Sequence, residues 1–115
     1  MVVKRGEIWW ALVPNARNEA GDNIVRPVLV LQTDGFNRSR IPTVLVAAIS
    51  SDPRLARAPG NVRLSRQQSG LDREAVVDVA RVFSMHRELF SEQLMTLSAA
   101  KQRQVDEGLR LILGV

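Results

Sequence analysis

Arg26 stands directly before Pro27 at the head of the apolar run Val28-Leu29-Val30-Leu31, and Ser50-Ser51 close a second apolar run that begins at Val44. A proline disfavours the helical region for the residue before it, so Arg26 is expected to be extended at the start of a strand. A guanidinium in that place can hold a phosphate and stabilise charge that builds up on its oxygens. It is equally at home as an ordinary surface arginine at a strand end. Ser50 is expected to emerge at the sheet rim, where its hydroxyl can donate to a phosphate oxygen or orient a ribose hydroxyl. A serine also simply terminates strands, and Ser51 is placed to bond into the turn that follows.

The chain that must position these groups has 115 residues, a length that suits one domain, residues 1–115, with a modest core. Its net charge of +4 and pI near 11.0 favour polyanionic partners. Of the 16 basic residues only Lys4 and Lys101 are lysines, so 14 are arginines. The planar fork of arginine suits bidentate phosphate contacts and stacking on bases, although a GC-rich genome produces the same bias. Without cysteine there is no disulfide framework and no thiolate metal site. No apolar stretch reaches the roughly 18 to 20 residues of a membrane span, and no signal-peptide core follows the charged start. The expected setting is therefore cytoplasmic, away from the membrane.

Along the chain, Ile8 to Val13 reads as a first strand, halted by Pro14. Asn15 to Asn23 reads as a polar loop, and Val25 to Gln32 as a second strand whose continuous hydrophobicity implies burial on both faces. Asp34 to Arg40 is a turn or short helix, Thr43 to Ile49 a third strand, and Asp52 to Gly60 another polar loop. Asn61 to Leu64 and Ala75 to Val79 read as short strands, with Val82-Phe83 finishing the sheet. Short helical turns are expected at His86 to Leu89 and at Ser91 to Met95. After Ser98, a candidate N-cap, the period lengthens: Val105, Leu109 and Ile112 recur at helical spacing, and Gly108 allows close approach of a partner element. Strands first and helix last predict a mainly β architecture, a mostly antiparallel, partly closed barrel with flanking helices and an α-helix at the C-terminus (α+β). The helix apolar positions and small core suggest a homodimer or packing on the barrel.

The segments Arg5-Gly6-Glu7-Ile8-Trp9-Trp10, Arg26-Pro27 with its strand, Asp34-Gly35-Phe36-Asn37, the strand ending in Ser50-Ser51, and Ser69-Gly70-Leu71-Asp72-Arg73-Glu74-Ala75-Val76-Val77 follow in the order and content of one family. In these segments the chain resembles the MazF/PemK (Kid-like) toxins, small ribonucleases of toxin–antitoxin operons. The resemblance implies an SH3-like barrel of the CcdB/PemK type and an mRNA-cleaving endoribonuclease neutralised by a MazE-like antitoxin. It carries a catalytic role onto Arg26 and Ser50, and more loosely onto Glu19 as base. Arg17, Ser51, Arg81 and Ser84 fall to RNA binding. Where Arg81 and Ser84 stand, relatives often have Gln and Thr, so base preference does not transfer.

These groups suit cleavage of single-stranded RNA by attack of the ribose 2′-hydroxyl on the adjacent phosphate. That reaction needs a phosphate anchor, a base and an acid, but no metal, no cofactor and no protein nucleophile. His86 is the only histidine, so two histidines of one subunit cannot share the proton transfers. Of Trp9 and Trp10, which point to opposite strand faces, at least one is expected in the core or an interface, and Phe36-Asn37 is expected to pack the fold rather than read bases. The rivals are a CcdB-like gyrase-binding protein without nuclease activity and a non-catalytic RNA-binding barrel. The first is characterised by a C-terminal Trp-Gly-Ile, whereas this chain ends Leu113-Gly114-Val115.

Overall fold

The alternation of the apolar run after Arg26 has a direct structural consequence. In the computed structural model, which describes residues 2–14 and 23–115, Val28 and Val30 enter one core cluster with Trp9, Ala11, Val44, Val46 and Met85. Leu29 and Leu31 enter a second cluster with Ile8, Ala47, Ile49, Val77 and Val105. From Val28 to Leu31 the chain is thus covered on both faces, as its composition predicts, whereas Val25 and Arg26 before it are exposed; each buried Val or Leu contributes roughly 1.5–3 kcal/mol.

Among the described residues six strands build one sheet: β1 (Glu7–Pro14), β2 (Asn23–Val30), β3 (Thr43–Ser50), β4 (Val62–Leu64), β5 (Ala75–His86) and β6 (Phe90–Thr96). Their spatial order is β4-β5-β3-β2-β1-β6, and every pairing is antiparallel. Helix α2 (Arg66–Ser69) touches both edge strands, β4 and β6, so the sheet curls into a half-barrel whose gap is bridged by a helical turn. Helix α1 (Asp34–Asn37) connects β2 to β3, and α3 (Ala99–Leu113) packs on β4 and β5. Among the described residues no helix is long and apolar enough to cross a membrane.

Three sequence expectations change. Ser91 to Met95 is not a helical turn but most of β6, because pairing with β1 from Phe90 to Thr96 satisfies an edge that would otherwise be open. Ala75–Val79 and Val82-Phe83 belong to one long strand: Ala47 pairs with Val82 while Ala48 pairs with Asp78, so the residues between 78 and 82 form a bulge that bends β5. Phe36 is exposed rather than packed, since only its neighbour Asn37 turns inward, donating through Nδ2 to the Gln32 carbonyl at 2.8 Å.

Helix α3 is fixed by the features its sequence announced. Ser98 Oγ accepts the Lys101 N–H at 3.2 Å, a cap worth about 1 kcal/mol. Val105 is fully buried, and Gly108 lies against Gly60 so closely that an added Cβ would fall on the Gly60 backbone. Beyond this contact the helix emerges into solvent, and Ile112 is 48% exposed together with Leu111 and Leu113. Arg5 ties the helix to the barrel: its guanidinium donates to the Leu31 carbonyl at 2.9 Å and to Asp106 Oδ1 at 2.8 Å, while its backbone N–H donates to Asp34 Oδ1.

Candidate active site

The site arises where the sheet parts. The β2–β3 ladder holds only Val28, Leu29 and Val30 against Ala48, Ala47 and Val46. Pro27, with no N–H to give, stands at the point where the ladder ends. Before it, β2 stays with β1 as far as Asn23, while β3 stays with β5 until Ser50 meets Val76. The two strand pairs therefore diverge, and a cleft of about 250 Å³ opens between them. Continuing the β2–β3 register by two residues sets Arg26 opposite Ser50, and both line the cleft with Ser51. Two groups 24 positions apart in the chain are brought to one place.

Trp10, Val25 and Pro27 supply the β1–β2 wall, Ile49 and Ala75 the other, and Leu71, Asp72 and Arg73 enter from the connection between α2 and β5. Arg26 is exposed and Ser50 half-buried. The Ser50 hydroxyl accepts the Asp52 N–H at 3.1 Å, so the bond into the following turn, expected of Ser51, is made by Ser50. Accepting that bond uses one lone pair of Ser50 Oγ and leaves its O–H able to rotate and donate. Asp52 in turn accepts from the Arg54 guanidinium and from the Arg54 backbone N–H at 3.0 Å, and these bonds, the first most of all, hold its carboxyl below the usual carboxylate range. The turn after Ser50 is thereby stitched to itself.

The other sequence candidates separate into two groups. Glu19 and Arg17 lie outside the described residues. Arg81 and Ser84 lie outside the cleft: Ser84 pairs with Leu45, five residues along β3 from Ser50, or about 17 Å at 3.4 Å per residue. Arg81, in the β5 bulge, is exposed and reaches Asp78 at 3.4 Å. The tryptophans divide as expected of opposite strand faces. Trp9 is buried edge-on to Phe90, with ring centroids 5.9 Å apart, whereas half-buried Trp10 lines the cleft. Sequence reasoning passed over Asp72 and Arg73, because a charged pair in a connector reads as a solvated loop until tertiary packing turns it toward a cleft. Their only sequence signal was membership in the segment Ser69 to Val77.

Comparison with known proteins places the chain in a family. Residues 4–113 match the family model described as PemK-like, MazF-like toxin of type II toxin-antitoxin system. Endoribonuclease MazF6 of Mycobacterium tuberculosis (strain ATCC 25618 / H37Rv) is 38% identical over 114 residues, which cover 98% of each chain. Endoribonuclease EndoA of Bacillus subtilis (strain 168) is 33% identical, covering 100% of this chain and 97% of its own. The crystal structure of MazE-MazF from Deinococcus radiodurans superposes with a TM-score of 0.77 at 25% identity, over 100% of this chain and 98% of that one.

Proposed function

This chain belongs to the PemK-like, MazF-like toxins of type II toxin–antitoxin systems, and from that premise we propose that it cuts single-stranded RNA in the cleft between β2 and β3. It is an endoribonuclease toxin whose place and manner of action are what we propose. The observation that carries them is the meeting of Arg26 and Ser50 on one rim, at the point where the sheet is forced to part.

The scissile phosphate sits against Arg26, whose guanidinium stabilises the extra negative charge of the pentacovalent transition state. Ser50 donates a hydrogen bond from its hydroxyl to a non-bridging oxygen and keeps its proton. The ribose 2′-oxygen attacks phosphorus as its proton leaves to a base, the bond from phosphorus to the 5′-oxygen breaks, and that oxygen takes up a proton from water. The products are a 2′,3′-cyclic phosphate and a 5′-hydroxyl. Glu19 is the base we assign, from the sequence. Arginine is unsuited to that step because its conjugate base is inaccessible near neutrality. Trp10 offers an aromatic face for an unpaired base beside the phosphate.

The rival readings are not favoured, since relatives matched over nearly the whole chain are endoribonucleases. A MazE-like antitoxin is the proposed protein partner, in line with the MazE-MazF structure of Deinococcus radiodurans, and the cytoplasm the proposed site of action. We also assign a homodimer, supported by the apolar end of α3, where Leu111, Ile112 and Leu113 stand exposed; sedimentation at micromolar concentration should give twice the monomer mass.

The test of the activity is primer extension on a long RNA incubated with purified protein in excess EDTA. Discrete 5′ ends sharing a short motif are expected. Cleavage that vanishes in EDTA and returns with Mg²⁺ would overturn the transesterification route.

A further inference from the structure

The connection that carries Asp72 and Arg73 is built more rigidly than a surface loop requires. Helix α2 begins with a reciprocal cap in which Ser65 Oγ accepts the Gln68 N–H at 3.1 Å and Gln68 Oε1 accepts the Ser65 N–H at 2.8 Å. It ends at Gly70, in left-handed backbone at φ +77°, where an added Cβ would come within 3.2 Å of the Leu94 carbonyl of β6. The fully buried Ser69 side chain accepts the Leu71 N–H at 3.1 Å. Three successive anchors therefore set the direction in which the chain delivers Asp72 and Arg73 to the cleft, just before β5 begins.

Within that fixed connection the Arg73 side chain is only loosely held. Its Nε lies 3.5 Å from Asp72 Oδ1, with the two side chains 69% and 86% exposed. So exposed a pair contributes little to stability, and a phosphate can replace Asp72 at little cost. Arg26 stands on the β2 side of the same cleft and Arg73 on the β5 side, which places cations on both flanks of the Ser50 rim.

We propose that Arg73 is a second phosphate-binding residue of this cleft, exchanging its contact with Asp72 for the RNA backbone next to the nucleotide held by Arg26. The proposal rests on the cleft being the RNA site. It assigns Arg73 to binding and register, and Asp72 to holding that guanidinium when no RNA is present. The Asp72 charge also opposes the approach of a polyanion, so RNA must outcompete it.

The probe is a fluorescein-labelled single strand of mixed sequence, 2′-O-methylated throughout so that it cannot be cut by its own 2′-oxygen. Anisotropy titrations of the full chain at 50 and 200 mM salt measure how many phosphates are neutralised. Each contact to a single strand contributes about 0.7 to the logarithmic salt slope, so losing one shrinks the affinity change across this range by about 2.6-fold. Arg73→Ala should show that shrinkage, Arg73→Lys should keep the wild-type slope, and Asp72→Asn should bind more tightly than wild type at 50 mM salt. A wild-type slope in folded Arg73→Ala would overturn the proposal while leaving the Arg26 assignment standing. Absence of binding by the wild-type chain, with no cleavage of ordinary RNA, would instead remove the reading of the cleft itself.

Discussion

Arg5, which meets the chain just past the end of β2, and Arg26, within β2, are used in different ways. Arg5 turns inward: its guanidinium and backbone N–H join three elements, through the Leu31 carbonyl, Asp106 and Asp34. Arg87 behaves similarly, donating to the carbonyls of Ile41 at 2.7 Å and Phe36 at 3.0 Å. Arg26, in contrast, is exposed at the rim of a cleft, and Arg73 on the other flank lies 3.5 Å from the exposed Asp72 carboxylate. An arginine-rich composition therefore says little about function until each guanidinium is located. The α3 dock uses charge to hold elements together, and the cleft leaves its charge exposed to solvent.

The sharpest break of this comparison is Arg26→Ala against Arg5→Ala. Removing Arg26 should lower single-turnover cleavage about 10²- to 10³-fold, the 2.7–4 kcal/mol typical of one lost charge-stabilising donor, with an unchanged circular dichroism spectrum. Arg5→Ala should reverse the pattern, lowering the melting temperature while the folded fraction still cuts. A fully active, folded Arg26→Ala protein would remove the central assignment. On the same substrate, Ser50→Ala should slow the reaction about 10- to 10²-fold, as expected for a lost hydrogen bond to a charged group of ~1.5–3 kcal/mol, and Ser51→Ala should stay near wild type. If Ser51→Ala is the slower serine variant, the hydroxyl that serves the phosphate is the other one.

At the dock, Gly108→Ala should destabilise by about 1–3 kcal/mol, because the methyl group is driven into the Gly60 backbone and the helix must shift. Denaturant unfolding measures it. Equal stability would mean that α3 slides freely at this crossing.

The smallest effect belongs to Asp106. Burial disfavours its charge, but hydrogen bonds from Arg5 and Gln102 outweigh that and hold its carboxyl below the ordinary value of 3.8; Asp34 is lowered as well, chiefly by the Arg5 N–H. A depressed carboxylate stabilises the fold above its unfolded pKa and loses that contribution as pH falls through the folded one. Asp106→Asn should thus cost about 1 kcal/mol or less at pH 7, given a pair about one-third exposed, and its stability should converge with wild type as pH drops below 3.8. A difference that persists undiminished at pH 2.5 would show that packing, not charge, is what Asn disturbs.

Much of the scaffold was legible in order. β1, β2 and β3 announce themselves through apolar residues dense enough to outvote any other conformation, and α3 through its cap and its period. β6 escaped because Ser91-Glu92-Gln93-Leu94-Met95 has no alternation of its own and is a strand only because β1 needed a partner on that side. The bulge in β5 escaped for the same reason: nothing local in Val79-Ala80-Arg81 shows that β3 will count past it. Phe36 was misread because its neighbour Asn37 makes the inward contacts that the aromatic ring was expected to make.

For the site the division is sharper. The sequence by itself determined that Arg26 precedes a proline and begins a buried strand, that a hydroxyl ends the next one, and that no thiol and only one imidazole are available for chemistry. These are properties of residue type and immediate neighbours, and they survive any rearrangement of the rest. Only the tertiary structure decided that the β2–β3 ladder stops where Pro27 can no longer extend it, that the cleft so opened has Arg26 and Ser50 on one rim, and that a capped turn anchored on β6 brings Arg73 to it. Those depend on the register between strands distant in sequence and on where two ladders diverge, which the pairing of the whole sheet sets and no local pattern encodes.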